Sequence, residues 1–455
     1  MPTKITAAVK MFRVGELGDC FLLAFKQGRR KSHVLIDCGS FRNSSRSKER
    51  LREIAQNIKD ILGKDKLDVV VGTHQHNDHY SGFEHAKEIF QSMEIDAVWL
   101  SWLDDPQDLL AQEIVTQHHR LQATLVEVQA ILGEQQGAAA QQLLDDIQSF
   151  VDFEDQQLAF SAHRKKSTTD RALEVLHGLA PVNYLSPGAI LDLPGIYDGG
   201  VKVYVLGPPR NYKQIKDTRP GKGETYDKHL SNLQFHADEF LDALKGSSQV
   251  RTERNYPFSQ SFKQDPEAFK KAFPDLSGAY EEESWQQIDE DWLQSGAELA
   301  LHLNSYTNNT SLVLAFELVH NEKVLLFVGD AQTGNWLSWD QVTWEDGQAH
   351  FERLLDQTVL YKVGHHGSHN ATLKPTLERM NHPELVAMIP VDDSDSNITK
   401  DHNPWKMPAA HLYERLIEKT EGRVIRMDHG AIEHATDNWK KTPKEGPLFW
   451  EYIVE

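Results

Sequence analysis

The sequence predicts an α/β protein in which sheets and helices pack in layers. Over the first hundred residues, short apolar runs typical of buried strands alternate with segments of helical spacing. Two β-rich segments of similar make-up, 1–103 and 300–430, are separated by long stretches of different composition. The chain has 455 residues, which suits one large domain with insertions or two to three domains.

The composition argues against several classes of protein. Asp and Glu number 68 against 48 Lys and Arg, so the formal net charge is −20. A protein that coats nucleic acid through an overall positive charge is therefore not expected. A local basic groove is compatible with this net charge. No run approaches the roughly 18 apolar residues of a membrane helix, and Met1 to Lys10 lacks the apolar core of a signal peptide. Only two cysteines occur, Cys20 and Cys38, so we expect reduced thiols in a cytoplasmic protein. Because no apolar run is long enough for a membrane helix, we expect no membrane partner.

The first β-rich half, 1–103, alternates strands and helices. Apolar runs rich in Val, Leu and Phe predict the strands, and apolar residues three or four apart predict the helices. The predicted elements are strands at 21–25 and 33–36, a helix at 47–63, a strand at 67–71, a helix at 81–93 and a strand at 97–100.

Two stretches interrupt the core. Residues 104–180 are rich in Gln and Ala with apolar residues three, four or seven apart, which predicts an inserted helical hairpin or small bundle. It is either a structural extension or a surface that shapes substrate access or binds a protein partner. Residues 181–210 return to the core with strands at 189–191 and 201–206. Residues 211–298 are polar and aperiodic, as in a second insertion or long loop.

The second half, 299–455, resumes the strand pattern. Residues 311–319 and 323–328 flank His320-Asn321-Glu322, which is typical of a hairpin. The later predicted elements are strands at 358–363 and 385–389, a helix at 409–420, a strand at 423–426 and a C-terminal extension.

The strongest chemical signal follows the strand predicted at 67–71. Three histidines and an aspartate stand close together in Thr73-His74-Gln75-His76-Asn77-Asp78-His79. In an extended chain His74 and His76 point the same way, whereas Asp78 and His79 lie where the chain turns into a helix. Imidazole and carboxylate together suit Zn, Mn or Fe rather than Ca or Mg. The alternative, a solvated polar loop, is disfavoured because four potential ligands directly follow an apolar strand.

Two strand ends in the second half offer further ligands. The strand at 323–328 runs into Gly329-Asp330, and a carboxylate buried there is costly unless a cation meets it. The strand at 358–363 runs into Gly364-His365-His366-Gly367. A Gly-Asp pair alone is equally typical of a turn. Together with the first cluster, these strand ends predict a dinuclear metal site.

This pattern, from His74 to His79 and on to Gly329-Asp330 and a strand-terminal histidine, resembles the metallo-β-lactamase-fold hydrolases. Further segments are similar to the branch that includes the soluble hydrolase domain of the DNA-uptake protein ComEC. They are 14–22, 36–39, 308–314, 362–368, the tail around Asn403-Pro404, and 409–430. The resemblance implies a metallo-β-lactamase-type αββα sandwich that carries a helical insertion and a second long insertion.

The resemblance also implies which residues bind metal. The expected ligands are His74, His76, Asp78, His79, Asp330 and His366. His74, His76 and Asp330 would hold one ion, and the remaining residues would hold the other together with Asp330, which is shared. His366 is favoured over His365 because it directly precedes Gly367 and lies further into the loop.

One position departs from the family pattern. The family supplies a further histidine between its halves, whereas the corresponding strand here ends in Gly207-Pro208-Pro209. The ion at His74 and His76 is therefore expected to lack one ligand and to bind more weakly. We expect zinc in two sites, one of them weaker, with manganese as the alternative.

Asp78 and His365 are the predicted catalytic residues. His365, which faces the substrate in this assignment, would donate a proton to the leaving group or hold a phosphate oxygen. Asp37 would hydrogen-bond a ligand or the ligand loop. The alternative for Asp37 is a turn aspartate at the end of a strand.

The predicted function is metal-dependent hydrolysis by an activated water. The resemblance favours a phosphoester or phosphodiester substrate, nucleotides and nucleic acid included. Two alternatives stand beside it. One is a hydrolase of lactones, thioesters or β-lactams. The other is an interaction protein with a residual metal site, whose helical insertion is the binding surface.

Overall fold

The computed structural model describes residues 4–119, 166–197, 199–217, 224–226, 265–274, 305–399, 405–431, 439 and 441–455. The chain forms two compact units. The first contains Met1–Val115, Glu154–Leu230 and Ser305–Glu455. The second contains Thr116–Phe153 and Ser231–Asn304, of which residues 116–119 and 265–274 are described. Residues 120–165 of the predicted helical insertion, most of 211–298, and Asn403-Pro404 lie outside the described residues.

Sixteen strands are described, and most of them follow the apolar runs of the sequence. In chain order they are β1 Ile5–Phe12, β2 Cys20–Gln27, β3 Arg30–Cys38, β4 Val69–Val71, β5 Val98–Ser101, β6 Val182–Leu185, β7 Ile190–Asp192, β8 Val201–Gly207, β9 Val313–Leu318, β10 Lys323–Phe327, β11 Thr358–Lys362, β12 Val386–Ile389, β13 Val424–Arg426, β14 Gly430–Ala431, β15 Lys444–Glu445 and β16 Phe449–Val454.

The α-helices with defined bounds connect and cover these strands. They are α1 Ser45–Leu62, α2 Asn77–His85, α3 Lys87–Phe90, α4 Thr168–Leu179, α5 Tyr212–Lys216, α6 Pro266–Ala272, α7 Thr333–Trp336, α8 Phe351–Asp356, α9 Lys374–Arg379, α10 Ser396–Thr399 and α11 Ala410–Lys419. Within the described residues, no helix combines the length and the apolar character that a membrane crossing needs.

The strands of the first unit form two sheets of eight strands each. The first has the order β15-β16-β1-β2-β3-β4-β5-β6, and the second has the order β14-β13-β12-β11-β10-β9-β8-β7. In both sheets an antiparallel part joins a parallel part, β3 to β6 in the first sheet and β10 to β13 in the second. The predicted hairpin is confirmed, because Lys323 of β10 pairs with Leu318 of β9.

The two sheets pack face to face, with helices on their outer sides. Between them, the rings of Phe21 and Phe327 meet edge to face at 5.5 Å, and Phe25 stacks on Phe316 at 5.6 Å. Along β10 alternate side chains face opposite ways: Leu325 and Phe327 join this inner core, whereas Val324 and Leu326 join an outer core with residues of α9 and α11. The predicted αββα sandwich is therefore confirmed.

Two helices differ from the sequence prediction in ways that bear on the site. The helix expected to begin at Ser81 begins at Asn77, with His76 at its N-cap, so Asp78 and His79 lie in its first turn. Helix α4 lies within the predicted insertion, yet it buries Ala172 and Leu176 in the inner core. It forms the crossover between the parallel strands β5 and β6.

Five strands, β1, β6, β14, β15 and β16, were not predicted. The last two show that the C-terminal extension contains part of the first sheet. Strand β16 pairs with β1 in antiparallel fashion, with Ala7 opposite Val454. This contact joins opposite ends of the chain, and a local apolar pattern carries no information about such a pairing.

Candidate metal centre

The predicted ligands follow the ends of three strands. The loop from Gly72 to His76 leaves β4, Gly329-Asp330 follows β10, and His365-His366 follows β11. Strands β10 and β11 are parallel, so their carboxyl ends lie side by side. The backbone N–H of Leu312 donates to the carbonyl of Thr73 at 2.9 Å and ties the first loop to the second sheet.

Asp37 holds the histidine loop in place. Its Oδ1 accepts from the backbone N–H of Thr73 at 2.8 Å, and its Oδ2 accepts from the Thr73 hydroxyl at 2.7 Å. The same Oδ2 lies 2.7 Å from Nδ1 of His79. Asp37 has a φ of 55°, an uncommon conformation for a residue other than glycine. Its carboxylate therefore connects the strand end to the first helical turn.

Four ligand-type atoms converge beside the first turn of α2. Nε2 of His366 lies 2.9 Å from Oδ2 of Asp78 and 4.0 Å from Oδ2 of Asp330. Nε2 of His79 lies 3.2 Å from the same Asp330 oxygen and 3.7 Å from Oδ2 of Asp78. All four residues are buried. This group contains the four residues that the sequence analysis placed around the second ion.

The hydrogen bonds of the two imidazoles fix which nitrogen carries the proton. Nδ1 of His366 lies 2.7 Å from the carbonyl of Pro390, so it is the donor and Nε2 keeps its lone pair in the neutral ring. Nδ1 of His79 donates to Asp37 in the same way. While His79 is neutral, its Nε2 and Oδ2 of Asp330 are two buried acceptors that face each other, and neither makes a hydrogen bond to a described residue. A positive charge between them, either a proton on Nε2 or a bound cation, removes this conflict, so the residues fit a metal ion.

His74 and His76 form a second group next to the first. Nε2 of His74 lies 3.1 Å from Nδ1 of His76, and the rings of His74 and His79 are 4.1 Å apart. Burial lowers the pKa of His76 and holds the pKa of His74 well below its usual range. Both rings are therefore neutral at neutral pH and have lone pairs to offer.

Charge is unevenly distributed across the site. Burial disfavours the charged form of His79, but Asp330, Asp37 and Asp78 outweigh it and raise its pKa well above the usual value. Burial would raise the pKa of Asp330, yet His79 and Lys362 hold it well below its usual range. The Asp330 carboxylate therefore stays ionised and favours positive charge at this position, whether a proton or a metal ion supplies it.

Asp19 and Lys362 belong to the site but were given no role from the sequence. Nζ of Lys362 is buried between an oxygen of Asp19, with which it forms an ion pair, and Oδ1 of Asp330 at 3.3 Å. It also donates to the carbonyl of Gly329 at 2.7 Å. The available signal was a single charged residue at the end of the otherwise apolar run Thr358–Lys362. This contact occupies Oδ1 of Asp330 and leaves Oδ2 for a metal.

His365 lies at the edge of the same site and is half-buried. Its backbone N–H donates to Oδ1 of Asp330 at 2.9 Å, and both His365 and His366 have positive φ, 43° and 53°. Such backbone strain is typical of functional sites. Burial lowers the pKa of His365 to about 4, so its ring is neutral at neutral pH.

Gly207, where the corresponding strand of the family pattern would end in a histidine, is closely packed. A Cβ atom at this position would stand 2.1 Å from Oδ1 of Asn335, a residue of helix α7. A histidine side chain could not start from this backbone without displacing Asn335.

The comparison with protein families agrees with this geometry. Residues 14–95 match the family described as the metallo-beta-lactamase superfamily. The matched segment includes Asp19, Asp37 and the whole loop from His74 to His79. No curated protein matches the chain. This match agrees with the two-sheet sandwich and with the buried cluster of Asp and His side chains. Together they indicate a metal-dependent hydrolase, which is the activity typical of this superfamily.

A second group of candidate ligands, Asp393, Asp428 and His429, lies at the surface. Arg426 bridges both carboxylates, at 3.3 Å from Asp393 and 2.5 Å from Asp428. His429 contacts Asp393 at 2.8 Å. These charges already neutralise one another. None of the three side chains has a buried polar atom without a hydrogen-bond partner, unlike Nε2 of His79 and Oδ2 of Asp330.

Proposed function

We propose that the protein is a metal-dependent hydrolase of phosphoester or phosphodiester bonds, with nucleotides and nucleic acid among the candidate substrates. The observation that carries the proposal is the buried pair of facing acceptors, Nε2 of His79 and Oδ2 of Asp330, within reach of Asp78 and His366. Oriented imidazoles around a shared carboxylate are the ligand set that Zn or Mn requires. The similarity of several motifs to the ComEC-like branch favours phosphoesters over carbonyl substrates.

In this proposal His74 and His76 would hold one ion, and Asp78, His79 and His366 would hold the other. Asp330 would serve both ions, with Oδ2 the available oxygen, because Lys362 and the backbone N–H of His365 occupy Oδ1. Two bound divalent ions would supply a deprotonated water and neutralise charge on the phosphoryl group. Asp37 and the Pro390 carbonyl orient the imidazoles beforehand, so the ligands need little rearrangement on binding.

His365 is the proposed contact to the substrate. In the free protein its ring is neutral, since burial lowers its pKa to about 4. A phosphate bound beside the ring adds negative charge, which favours the imidazolium and raises the pKa again. His365 could then hold a phosphate oxygen or donate a proton to the leaving group.

The test is hydrolysis by the full-length chain after reconstitution with Zn²⁺ or Mn²⁺. We expect turnover of bis-p-nitrophenyl phosphate, and its loss on chelation. Thioester and lactone substrates should be hydrolysed slowly or not at all. Turnover of carbonyl substrates alone would contradict the phosphoester assignment. A metal-loaded chain that turns over no substrate of either class would favour the interaction-protein alternative.

A further inference from the structure

We infer that the side chain of Asn308 is a metal ligand and completes the ion site of His74 and His76. This inference rests on the proposed function and names a residue outside the Asp and His set. Oδ1 of Asn308 lies 3.2 Å from Nε2 of His74, which in turn lies 3.1 Å from Nδ1 of His76. Asn308 is completely buried and directly precedes the loop into β9.

The two separations from Nε2 of His74 match those between ligands of one cation. Ligands at about 2.1 Å from one cation are separated from each other by roughly 3.0 to 3.4 Å, for octahedral to tetrahedral arrangements. Nδ1 of His74 lies 3.1 Å from the Thr73 hydroxyl, which itself donates to Asp37, and 3.3 Å from the Ser311 hydroxyl. With its proton on Nδ1, His74 presents the lone pair of Nε2 beside Oδ1 of Asn308, where both atoms can bind one cation.

The Asn308 amide lies between two histidines. Its Oδ1 is 3.2 Å from Nε2 of His74, and its Nδ2 is 3.4 Å from Nε2 of His365. On its other side, Nδ1 of His365 lies 2.8 Å from the Ser368 hydroxyl and 3.1 Å from the amide nitrogen of Gln332. In this orientation the Asn308 amide presents its oxygen to His74.

The fold also explains why this ligand comes from Asn308 and not from β8. Asn335 fills the space next to Gly207 and donates to the carbonyls of Asn309 and Ser311. The adjacent Asn309 is anchored in turn, because its amide donates to the carbonyls of Ile215 and Asp217. The segment that carries Asn308 is therefore held rigidly at the edge of the site.

An amide oxygen in place of an imidazole changes which ion binds. Carbonyl and carboxylate oxygens suit Mn, Mg and Ca, whereas imidazole suits Zn and similar ions. The site of His74, His76 and Asn308 contains the softer imidazoles and a neutral oxygen. It should bind divalent ions more weakly than the site of Asp78, His79 and His366, with a smaller preference for Zn²⁺ over Mn²⁺.

Titration of the metal-free chain with Mn²⁺, followed by the EPR signal of the unbound ion, tests the assignment without using activity. Wild type should bind two ions with different affinities. Asn308→Ala should weaken the weaker site at least about tenfold and leave the tighter site unchanged. Asn308→Asp keeps an oxygen at the same position and should retain both sites. Asn43→Ala is the matched control, since it also removes a buried amide that contacts a histidine, His85, elsewhere in the fold.

The outcomes separate this assignment from the proposed function. If Asn308→Ala gives the wild-type titration, or if Asn308→Asp is as weak as Asn308→Ala, the oxygen of Asn308 is not a ligand, while the proposed function stands. A wild-type chain that binds neither Mn²⁺ nor Zn²⁺ would overturn both. Thermal unfolding of the metal-free variants, compared with wild type, identifies any loss of binding that comes from misfolding.

Discussion

Asp330→Asn is expected to reduce hydrolysis by at least about 10³-fold, because in the proposed site the Asp330 carboxylate would serve both ions. The substitution keeps the shape of the side chain, and Oδ1 can still accept from Lys362 and from the backbone N–H of His365. What it removes is the negative charge next to Nε2 of His79. The loss should therefore appear in kcat and in the number of bound ions, measured on bis-p-nitrophenyl phosphate and by metal analysis.

Glu317→Gln is the control for this experiment. Glu317 is another buried carboxylate of the second sheet, and it pairs with Arg353 away from the histidine loop. Its substitution also removes one buried negative charge from the second sheet. The metal content should stay at the wild-type value. If Asp330→Asn retains two tightly bound ions and normal turnover, the shared-carboxylate arrangement is wrong.

Lys362→Met should lower the free energy of unfolding of the metal-free chain by about 3 to 5 kcal/mol. Lys362 is buried, and its ammonium is the shared partner of Asp19 and Asp330. Burial favours the neutral amine, yet the two carboxylates outweigh it and raise the pKa of Lys362. Without the lysine, two buried carboxylates lose this cation. Leaving a buried charge without its partner is strongly destabilising.

Chemical denaturation of the metal-free chain measures this effect. The double variant Asp19→Asn with Lys362→Met removes one of the stranded charges and should recover part of the loss. Lys31→Met is the control, because Lys31 forms an ion pair with Asp65 in which both side chains are exposed to solvent. Its removal should cost no more than about 1 kcal/mol. A Lys362→Met chain as stable as wild type would show that Asp19 and Asp330 do not depend on this lysine.

The parts of the site that the sequence predicted are those carried by local pattern. A Val-rich strand followed by His74, His76, Asp78 and His79 specifies a strand, loop and helix turn within ten residues. The same reasoning placed Asp330 and His366 at strand ends, where the fold brings them to the first cluster. The parallel strands β10 and β11 bring Asp330 and His366 side by side, and the packing of the second sheet on the first brings both to the histidine loop.

The remaining parts depend on contacts that no local pattern shows. Asn308 resembles any loop asparagine until β9 is placed beside the histidine loop. Lys362 ends an apolar strand, but only the packing of the two sheets reveals that it lies between Asp19 and Asp330. The close packing at Gly207 is of the same kind, since the Asn335 side chain that leaves no room for a Cβ atom there comes from a helix far along the chain.

Anomalous X-ray scattering from a crystal of the zinc-loaded chain tests the central claim most directly. We predict a strong peak among Asp78, His79, Asp330 and His366, with ligand bonds of about 2.0 to 2.2 Å. A second, weaker peak should lie within bonding distance of His74 and His76. A crystal with no zinc among the first four residues, or with zinc only at the surface group of Asp393, Asp428 and His429, would contradict the assignment.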